Sequence, residues 1–134
     1  MNIKAAFVSL NALLLATAIV APQALAQTSE GWVFVGQQND GLKIFIQRDS
    51  ISKGTTPTFW LREDATESYN SDYLFGVRDV KATINCTNRN AGFRYTQATV
   101  YEGNGNNRQV RLREQHEIYP GSVHELLREV VCSL

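Results

Sequence analysis

The stretch Tyr119-Pro-Gly-Ser-Val-His-Glu-Leu-Leu-Arg-Glu-Val-Val-Cys132 is the only segment after residue 26 with helical periodicity, and it ends in a cysteine. Its apolar residues recur at i, i+3, i+4, i+7 and i+8, which places them on one stripe of a helix. They are Val123, Leu126, Leu127, Val130 and Val131. The polar residues predicted to face solvent are His124, Glu125, Arg128 and Glu129. Because so short a helix is marginal alone, the stripe must pack on another element.

The start of this helix carries its own capping signal. Ser122 and Glu125 stand three residues apart just before the apolar run. The Ser122 hydroxyl can accept from the backbone N–H of Glu125 while the Glu125 carboxylate reaches back, which is the capping-box arrangement. Pro120 and Gly121 turn the chain into the helix.

Residues 1–26 have the pattern of an export signal. Lys4 precedes an apolar run from Ala5 to Val20, and Ala24-Leu25-Ala26 presents small residues where a signal peptidase cleaves. The main alternative is an uncleaved anchor, although the apolar run is short for a full span. We therefore expect a signal peptide at residues 1–26, a single domain at residues 27–134, and a periplasmic, secreted or cell-surface location.

The composition of residues 27–134 narrows the class of partner. This part keeps all 13 acidic side chains and loses only Lys4 from the 13 basic ones, so its net charge is about −1. A general nucleic-acid binder or a polybasic membrane-surface protein needs an excess of Lys and Arg. We expect neither, and we expect no membrane span after cleavage.

Cys86 and Cys132 are the two cysteines of the chain. If the chain is exported to an oxidising compartment, we expect these two cysteines to form a disulfide. Such a bond would stabilise the fold by about 4 kcal/mol in the chain-entropy model. Two buried free thiols are the alternative. A metal site is disfavoured because the cysteines and the two histidines lack tight ligand spacing.

Alternating apolar residues predict an antiparallel meander that precedes the helix. The predicted strands are 32–38, 42–48, 57–62, 80–86, 93–102 and 108–115. Asp40-Gly41 between the first two is a strong hairpin signal, because Gly41 accepts a positive φ. On the fourth strand Cys86 shares the apolar face with Ile84, which is the face where the helix would dock. Strands followed by one helix predict an α+β fold with the helix on one face of the sheet.

Residues 63–76 form the longest irregular stretch, and Tyr69 and Tyr73 lie in it. Long ordered loops often carry binding surfaces, so both tyrosines are candidate contact residues. The alternative is a solvated connector whose aromatic side chains cover the edge of the sheet.

The last two strands are joined by the polar turn 103–107, and a symmetric hairpin about this turn fixes which side chains share a face. On the helix side we expect Ala98, Val100, Val110 and Leu112. On the opposite side we expect Tyr95, Gln97, Thr99, Tyr101, Arg111 and Arg113. Arginine beside tyrosine is typical of contact surfaces, since guanidinium groups stack on aromatic rings. It is equally typical of an ordinary solvated face, on which arginine stems cover the rings.

The ordered landmarks of the chain resemble the surface-adhesin protein E family, over about residues 31–132. They are Trp32-Val33-Phe34-Val35, Asp49-Ser50-Ile51, Trp60, Cys86, Tyr101-Glu102-Gly103-Asn104-Gly105, and Pro120-Gly121-Ser122 leading into a helix that ends in Val131-Cys132. The resemblance implies a small exported bacterial domain with a bent antiparallel sheet, a C-terminal helix and a disulfide between them. It also implies binding of matrix or serum proteins by an adhesin, and it allows a dimer built through the sheets.

No catalytic constellation is evident from the residues. Ser122 lies near His124 but is better explained as a helix cap, and His116 is more typical of a surface histidine than of a general base. Glu63 and Asp64 are adjacent, so they would point to opposite faces of a strand and could not share a proton. We therefore expect a non-catalytic binding protein without cofactor or metal. The alternatives are a periplasmic structural or envelope-assembly factor that acts by self-association and, more remotely, a small hydrolase.

Overall fold

A computed structural model describes residues 31–134, so the predicted signal peptide lies outside the described residues. Within this range six strands precede one α-helix. The strands are β1 (Trp32–Gln37), β2 (Lys43–Gln47), β3 (Thr58–Asp64), β4 (Val77–Ile84), β5 (Phe93–Tyr101) and β6 (Asn107–His116), and the helix is α1 (Val123–Cys132). Single 3-10 turns occupy Arg48–Ser50 and Arg89–Ala91. No helix in residues 31–134 is long and apolar enough to cross a membrane.

The strands form one antiparallel sheet in which each strand pairs with its neighbours in the sequence, in the order β1 to β6. The helix α1 packs on one side of this sheet and contacts β1. We call this side the helix face; Ile44, Leu61 and Val80 lie on it. The other side, which carries Gln47, Trp60 and Lys81, is the open face. The predicted α+β meander with a C-terminal helix is confirmed.

The β1–β2 hairpin turns at Gly41, as the Asp-Gly pair predicts. Gly41 has a φ of +94°, and a Cβ atom there would lie 2.9 Å from the backbone oxygen of Glu67. Glycine is therefore required both by the backbone conformation and by the close approach of the loop that follows β3. The Asp40 carboxylate accepts from the backbone N–H of Leu42 at 3.1 Å and steadies the turn.

The strand boundaries differ from the predictions mainly around the long loop. β3 continues to Asp64 and β4 begins at Val77, so the irregular stretch is shorter than predicted. β4 ends at Ile84, and Cys86 lies in the turn beyond the strand. The backbone N–H of Cys86 donates to the carbonyl of Thr55 at 2.8 Å, which draws this turn towards the segment before β3.

The start of α1 has the predicted cap. The Ser122 hydroxyl accepts from the backbone N–H of Glu125 at 3.2 Å. The Glu125 carboxylate reaches back one residue further than in a standard capping box and accepts from the backbone N–H of Gly121 at 2.8 Å. These bonds satisfy backbone donors that the first turn of a helix leaves unpaired, and they confirm Ser122 and Glu125 as the cap.

The helix is rotated relative to the predicted stripe. Val123, Leu127 and Val131 are buried as expected, but His124 is also buried and Leu126 is 47% exposed. The assignment of His124 to the solvent face was therefore wrong, as was that of Leu126 to the core. The reason is that His124 finds polar and aromatic partners under the helix, which a pattern of apolar residues alone does not reveal.

The Cys86–Cys132 disulfide is present, with the two Cα atoms 5.6 Å apart. It fastens the last turn of α1 to the end of β4 and closes a loop with a sequence separation of 46 residues. Arg128 strengthens this junction, because its guanidinium donates to the backbone oxygen of Cys86 at 2.8 Å. The predicted link between sheet and helix is confirmed.

Candidate functional site

The open face is the first candidate surface, because α1 packs on the other side and the described residues contain no second α-helix. The strand register places two rows of side chains across it. The first row is Trp32, Gln47, Trp60, Lys81, Gln97 and Arg111. The second is Phe34, Phe45, Arg62, Asp79, Thr99 and Gln109. In these two rows the four aromatic residues lie on β1–β3, and every residue on β4–β6 is polar.

At the centre of the open face, Arg62 and Asp79 form a two-point ion pair. The Arg62 Nε atom lies 2.7 Å from Asp79 Oδ1, and its Nη2 atom lies 3.0 Å from Asp79 Oδ2. The Arg62 guanidinium also stacks over Trp32 at 4.5 Å and over Tyr101 at 5.5 Å from the ring centroids. The Tyr101 hydroxyl donates to Asp79 at 2.6 Å, and this bond, with burial, raises the pKa of Tyr101. These groups border a cavity of about 350 Å³.

Four cations near the β5–β6 side of the open face have no acidic partner among the described residues. They are Lys81, Arg94, Arg111 and Arg113, of which the three arginines are exposed. The ion pairs within residues 31–134 use other basic residues, namely Lys43, Arg62, Arg78, Arg89, Arg108 and His116. Since the net charge of the whole chain is zero, this positive charge is a local feature. We call these four residues the basic patch.

Tyr95 does not lie on the open face, and its predicted orientation was wrong. It is fully buried on the helix face, whereas Thr96 and Gln97 are both exposed. The pairing of β5 with both neighbours shifts between Tyr95 and Gln97. Such a bulge adds one residue to the strand and reverses the alternation beyond it, so that Tyr95 and Tyr101 face opposite sides. Arg111 and Arg113 lie on the open face as predicted, but the ring of Tyr101 stacks on Arg62.

On the helix face, Glu63, Arg78 and Glu114 form what we call the ion cluster. Arg78 Nε donates to Glu63 Oε1 at 2.6 Å. Its Nη1 and Nη2 atoms donate to the two Glu114 oxygens at 3.1 and 3.0 Å. Burial alone would lower the pKa of Arg78, but the bond to Glu114 and the charge of Glu63 outweigh it and raise the pKa. For Glu114 the effect of burial is the opposite, because burial alone would raise its pKa. The hydrogen bonds from Arg78 and His116 outweigh burial, so the pKa of Glu114 is lowered.

Two histidines and a tyrosine continue this cluster towards α1. The Tyr95 hydroxyl lies 3.4 Å from Glu63 Oε2 and 3.1 Å from His124 Nε2. The rings of His116 and His124 are stacked, with centroids 5.5 Å apart. Burial, and secondarily the charge of His116, lower the pKa of His124 to about 4, so its imidazole is neutral at neutral pH. Burial and the charge of Glu63 raise the pKa of Tyr95.

A groove of about 350 Å³ opens beside the ion cluster, between α1 and the loop after β3. The charged groups that line it are bound mainly to one another, as Arg78 is to both glutamates, and this is typical of a structural polar network. Residues 31–134 contain no group of three or more His, Cys, Asp or Glu side chains that could hold a metal ion. The groove therefore has the chemistry of a polar core beneath the helix.

The two loop tyrosines are ordered by the hairpin turn before them. The Tyr73 hydroxyl donates to the Asp40 carboxylate at 2.6 Å, and the Tyr69 hydroxyl donates to the carbonyl of Asn39 at 2.7 Å. Burial and the bond to Asp40 raise the pKa of Tyr73. Burial alone would raise the pKa of Asp40, but its hydrogen bonds, first that of Tyr73, lower it. Tyr73 is half-buried beside the groove, whereas Tyr69 is 79% exposed and lies apart from the basic patch.

The ion cluster was not predicted from the sequence, although the sequence carries a signal for it. Glu63 follows Phe59 and Leu61 at two-residue spacing, so it continues the buried face of β3. Arg78 precedes Val80 in the same way on β4, and the register places it directly opposite Glu63. Two opposite charges on the apolar side of neighbouring strands predict a buried pair.

The comparisons with known proteins add one finding. A family model described as Surface-adhesin protein E matches residues 32–133, which include all six strands and the helix. No curated protein and no solved structure matches the chain.

Proposed function

Because the chain belongs to the surface-adhesin protein E family, we propose that it is an exported, non-catalytic binding protein that contacts a protein partner through its open face. The basic patch is the observation that carries the proposal. Its arginines are exposed and form no ion pair with the described residues, so a partner can approach them without breaking an existing bond. Arginine and aromatic side chains are also the residue types enriched at binding hot spots.

The compartment is part of the same proposal. We propose that residues 1–26 are removed on export and that residues 27–134 act in the periplasm or at the cell surface. The family description supports an exported protein. The Cys86–Cys132 disulfide is consistent with it, because such bonds persist mainly in oxidising compartments. Cell fractionation combined with protease treatment of intact cells tests this part: cleavage from outside indicates surface exposure, and a full-length protein left in the cytoplasmic fraction contradicts export.

Binding to a panel of matrix and serum proteins at about 0.15 M salt tests the contact surface. A basic patch is complementary to an acidic surface on the partner. Reversing both charges with Arg111→Glu and Arg113→Glu should weaken binding by at least about ten-fold, because the new glutamates would repel that surface. The matched control is Arg48→Glu with Lys53→Glu, the same change of charge on exposed residues of the segment between β2 and β3. Equal binding by both double variants would show that the contact lies elsewhere.

The alternative function, a periplasmic structural or envelope-assembly factor, makes a different prediction. A factor that acts by self-association should form a dimer that persists on dilution to nanomolar concentration, and light scattering or mass photometry measures this directly. A stable dimer that binds none of the panel proteins would replace the binding role by a structural one. A monomer that binds a panel protein through the basic patch supports the proposal.

A further inference from the structure

Strand β6 is the last strand of the sheet, and at ten residues it is the longest. No strand pairs with its outer edge in the part of the chain that the structure describes. An edge strand directs about half of its backbone N–H and C=O groups away from its neighbour. These groups can pair with an added strand, which is a common way for a sheet to bind an extended peptide.

The side chains of β6 distinguish its two faces. Arg111 and Arg113 point to the open face, are exposed and form no ion pair with the described residues. Val110 and Leu112 point to the helix face and remain half-exposed at the end of the core. The one acidic residue of the strand, Glu114, is held by Arg78.

We propose that the β6 edge binds an extended acidic segment of a protein partner as a seventh strand. The proposal rests on the proposed function and specifies the chemistry of the partner. Residues that lie opposite each other on neighbouring strands have Cβ atoms about 5 Å apart. Acidic residues at alternate positions of the added strand would therefore lie opposite Arg111 and Arg113. The apolar residues between them would cover Val110 and Leu112.

A second copy of the chain fits this edge less well than an acidic segment does, because both copies would bring the exposed Arg111 and Arg113 to the junction. Antiparallel pairing of β6 with itself, centred on Leu112, would place arginine directly opposite arginine on the open face. Like charges in this position destabilise strand pairing. Charge complementarity therefore favours a partner with an acidic and apolar alternation over self-association at this edge.

Fluorescence anisotropy with a synthetic peptide of alternating Glu and Val tests the proposal on the oxidised protein. The matched control peptide carries N-methyl groups on all of its residues, which removes every backbone donor and leaves every charge in place. We expect the control to bind at least about ten-fold more weakly, because strand addition depends on main-chain hydrogen bonds. We expect a similar loss for Arg111→Glu with Arg113→Glu. The control Arg48→Glu with Lys53→Glu changes the same charge on the exposed segment between β2 and β3 and should lose less than about three-fold.

Hydrogen exchange locates the bound peptide. Added protection should be confined to the amides of β6, where the new ladder forms. Equal binding of the N-methylated peptide, protection outside β6, or no binding of the Glu-Val peptide at millimolar concentration would overturn strand addition. The proposed function has its own test: if Arg111→Glu with Arg113→Glu still abolishes binding to a panel protein, then the open face is the contact surface and only the peptide mode is lost.

Discussion

Arg78 and Arg111 lie on strands of the same sheet, but their surroundings are opposite. Arg78 is buried on the helix face and makes three hydrogen bonds to Glu63 and Glu114. Arg111 is exposed on the open face and forms no ion pair with the described residues. A buried charge must be paired, whereas an exposed one keeps its hydration without a partner. The helix face thus uses its charges to specify the fold, and the open face leaves its charges accessible.

The largest expected effect comes from removing the buried arginine. Arg78→Met should lower the free energy of unfolding by about 3–5 kcal/mol, because it leaves two carboxylates without their cation. The same change at Arg111 should alter stability by no more than about 0.5 kcal/mol. Urea unfolding of both variants measures the contrast. Equal effects would show that the ion cluster does not stabilise the helix face.

A pair of neighbouring leucines on α1 tests which side of the helix is buried. Leu127 is fully buried and Leu126 is 47% exposed. Leu127→Ala should cost about 2–4 kcal/mol through lost burial and the cavity it leaves, and Leu126→Ala less than about 1 kcal/mol. Thermal or urea unfolding gives both values. Equal losses for the two variants would restore the stripe predicted from the sequence, in which both leucines are buried.

Acidification should weaken the helix face through His124. Its pKa is about 4 in the folded chain and 6.5 without the fold, so the unfolded state takes up the proton first. The contribution of His124 is therefore complete above pH 6.5 and decreases as the pH falls towards 4. Between about pH 7.5 and about pH 5, protonation of His124 should therefore lower the free energy of unfolding by about 2 kcal/mol.

Urea unfolding at a series of pH values measures this loss, with His124→Gln as the comparison. The free energy of unfolding of the variant should change less with pH in this range. His116 is present in both proteins, so it does not account for the difference. Glu114, whose pKa is lowered in the fold, adds its own loss only nearer its ordinary value of 4.5. An unchanged slope in the variant would contradict a buried neutral His124.

The smallest effect concerns the centre of the open face. Tyr101→Phe removes the hydrogen bond to Asp79 and should cost about 1 kcal/mol or less, because Tyr101 is 38% exposed. Tyr69→Phe removes a bond of similar length from a more exposed ring and should cost almost nothing. A high-precision urea titration of the two variants resolves the difference. A loss for Tyr101→Phe as large as that for Arg78→Met would mean that the open face also determines the fold.

Much of the fold follows from local sequence patterns. Alternation of apolar residues predicts the strands, Asp40-Gly41 predicts the first hairpin, and Ser122 with Glu125 predicts the start of α1. These features depend on residues close together in the chain. The oxidising compartment inferred from residues 1–26 favoured the Cys86–Cys132 bond, which the structure contains.

The candidate sites were less predictable, because they depend on contacts between distant residues. The bulge at Thr96 and Gln97 carries no glycine or proline to mark it, and it moved Tyr95 to the helix face. The burial of His124 depends on Tyr95 and His116, which lie on other elements. The open-face positions of Arg111 and Arg113 were predicted correctly because they lie on β6, along which exposed and half-buried residues alternate regularly.

The consecutive strand order also has a consequence for how the chain folds. Each strand can add to the one synthesised just before it, so the sheet can grow from β1 as the polypeptide emerges. Cys132 lies in the last turn of the terminal helix, so its thiol reaches Cys86 only after β6 and α1 have emerged. The disulfide can therefore form only after all six strands have emerged, and a chain truncated before Cys132 would keep a free thiol at Cys86.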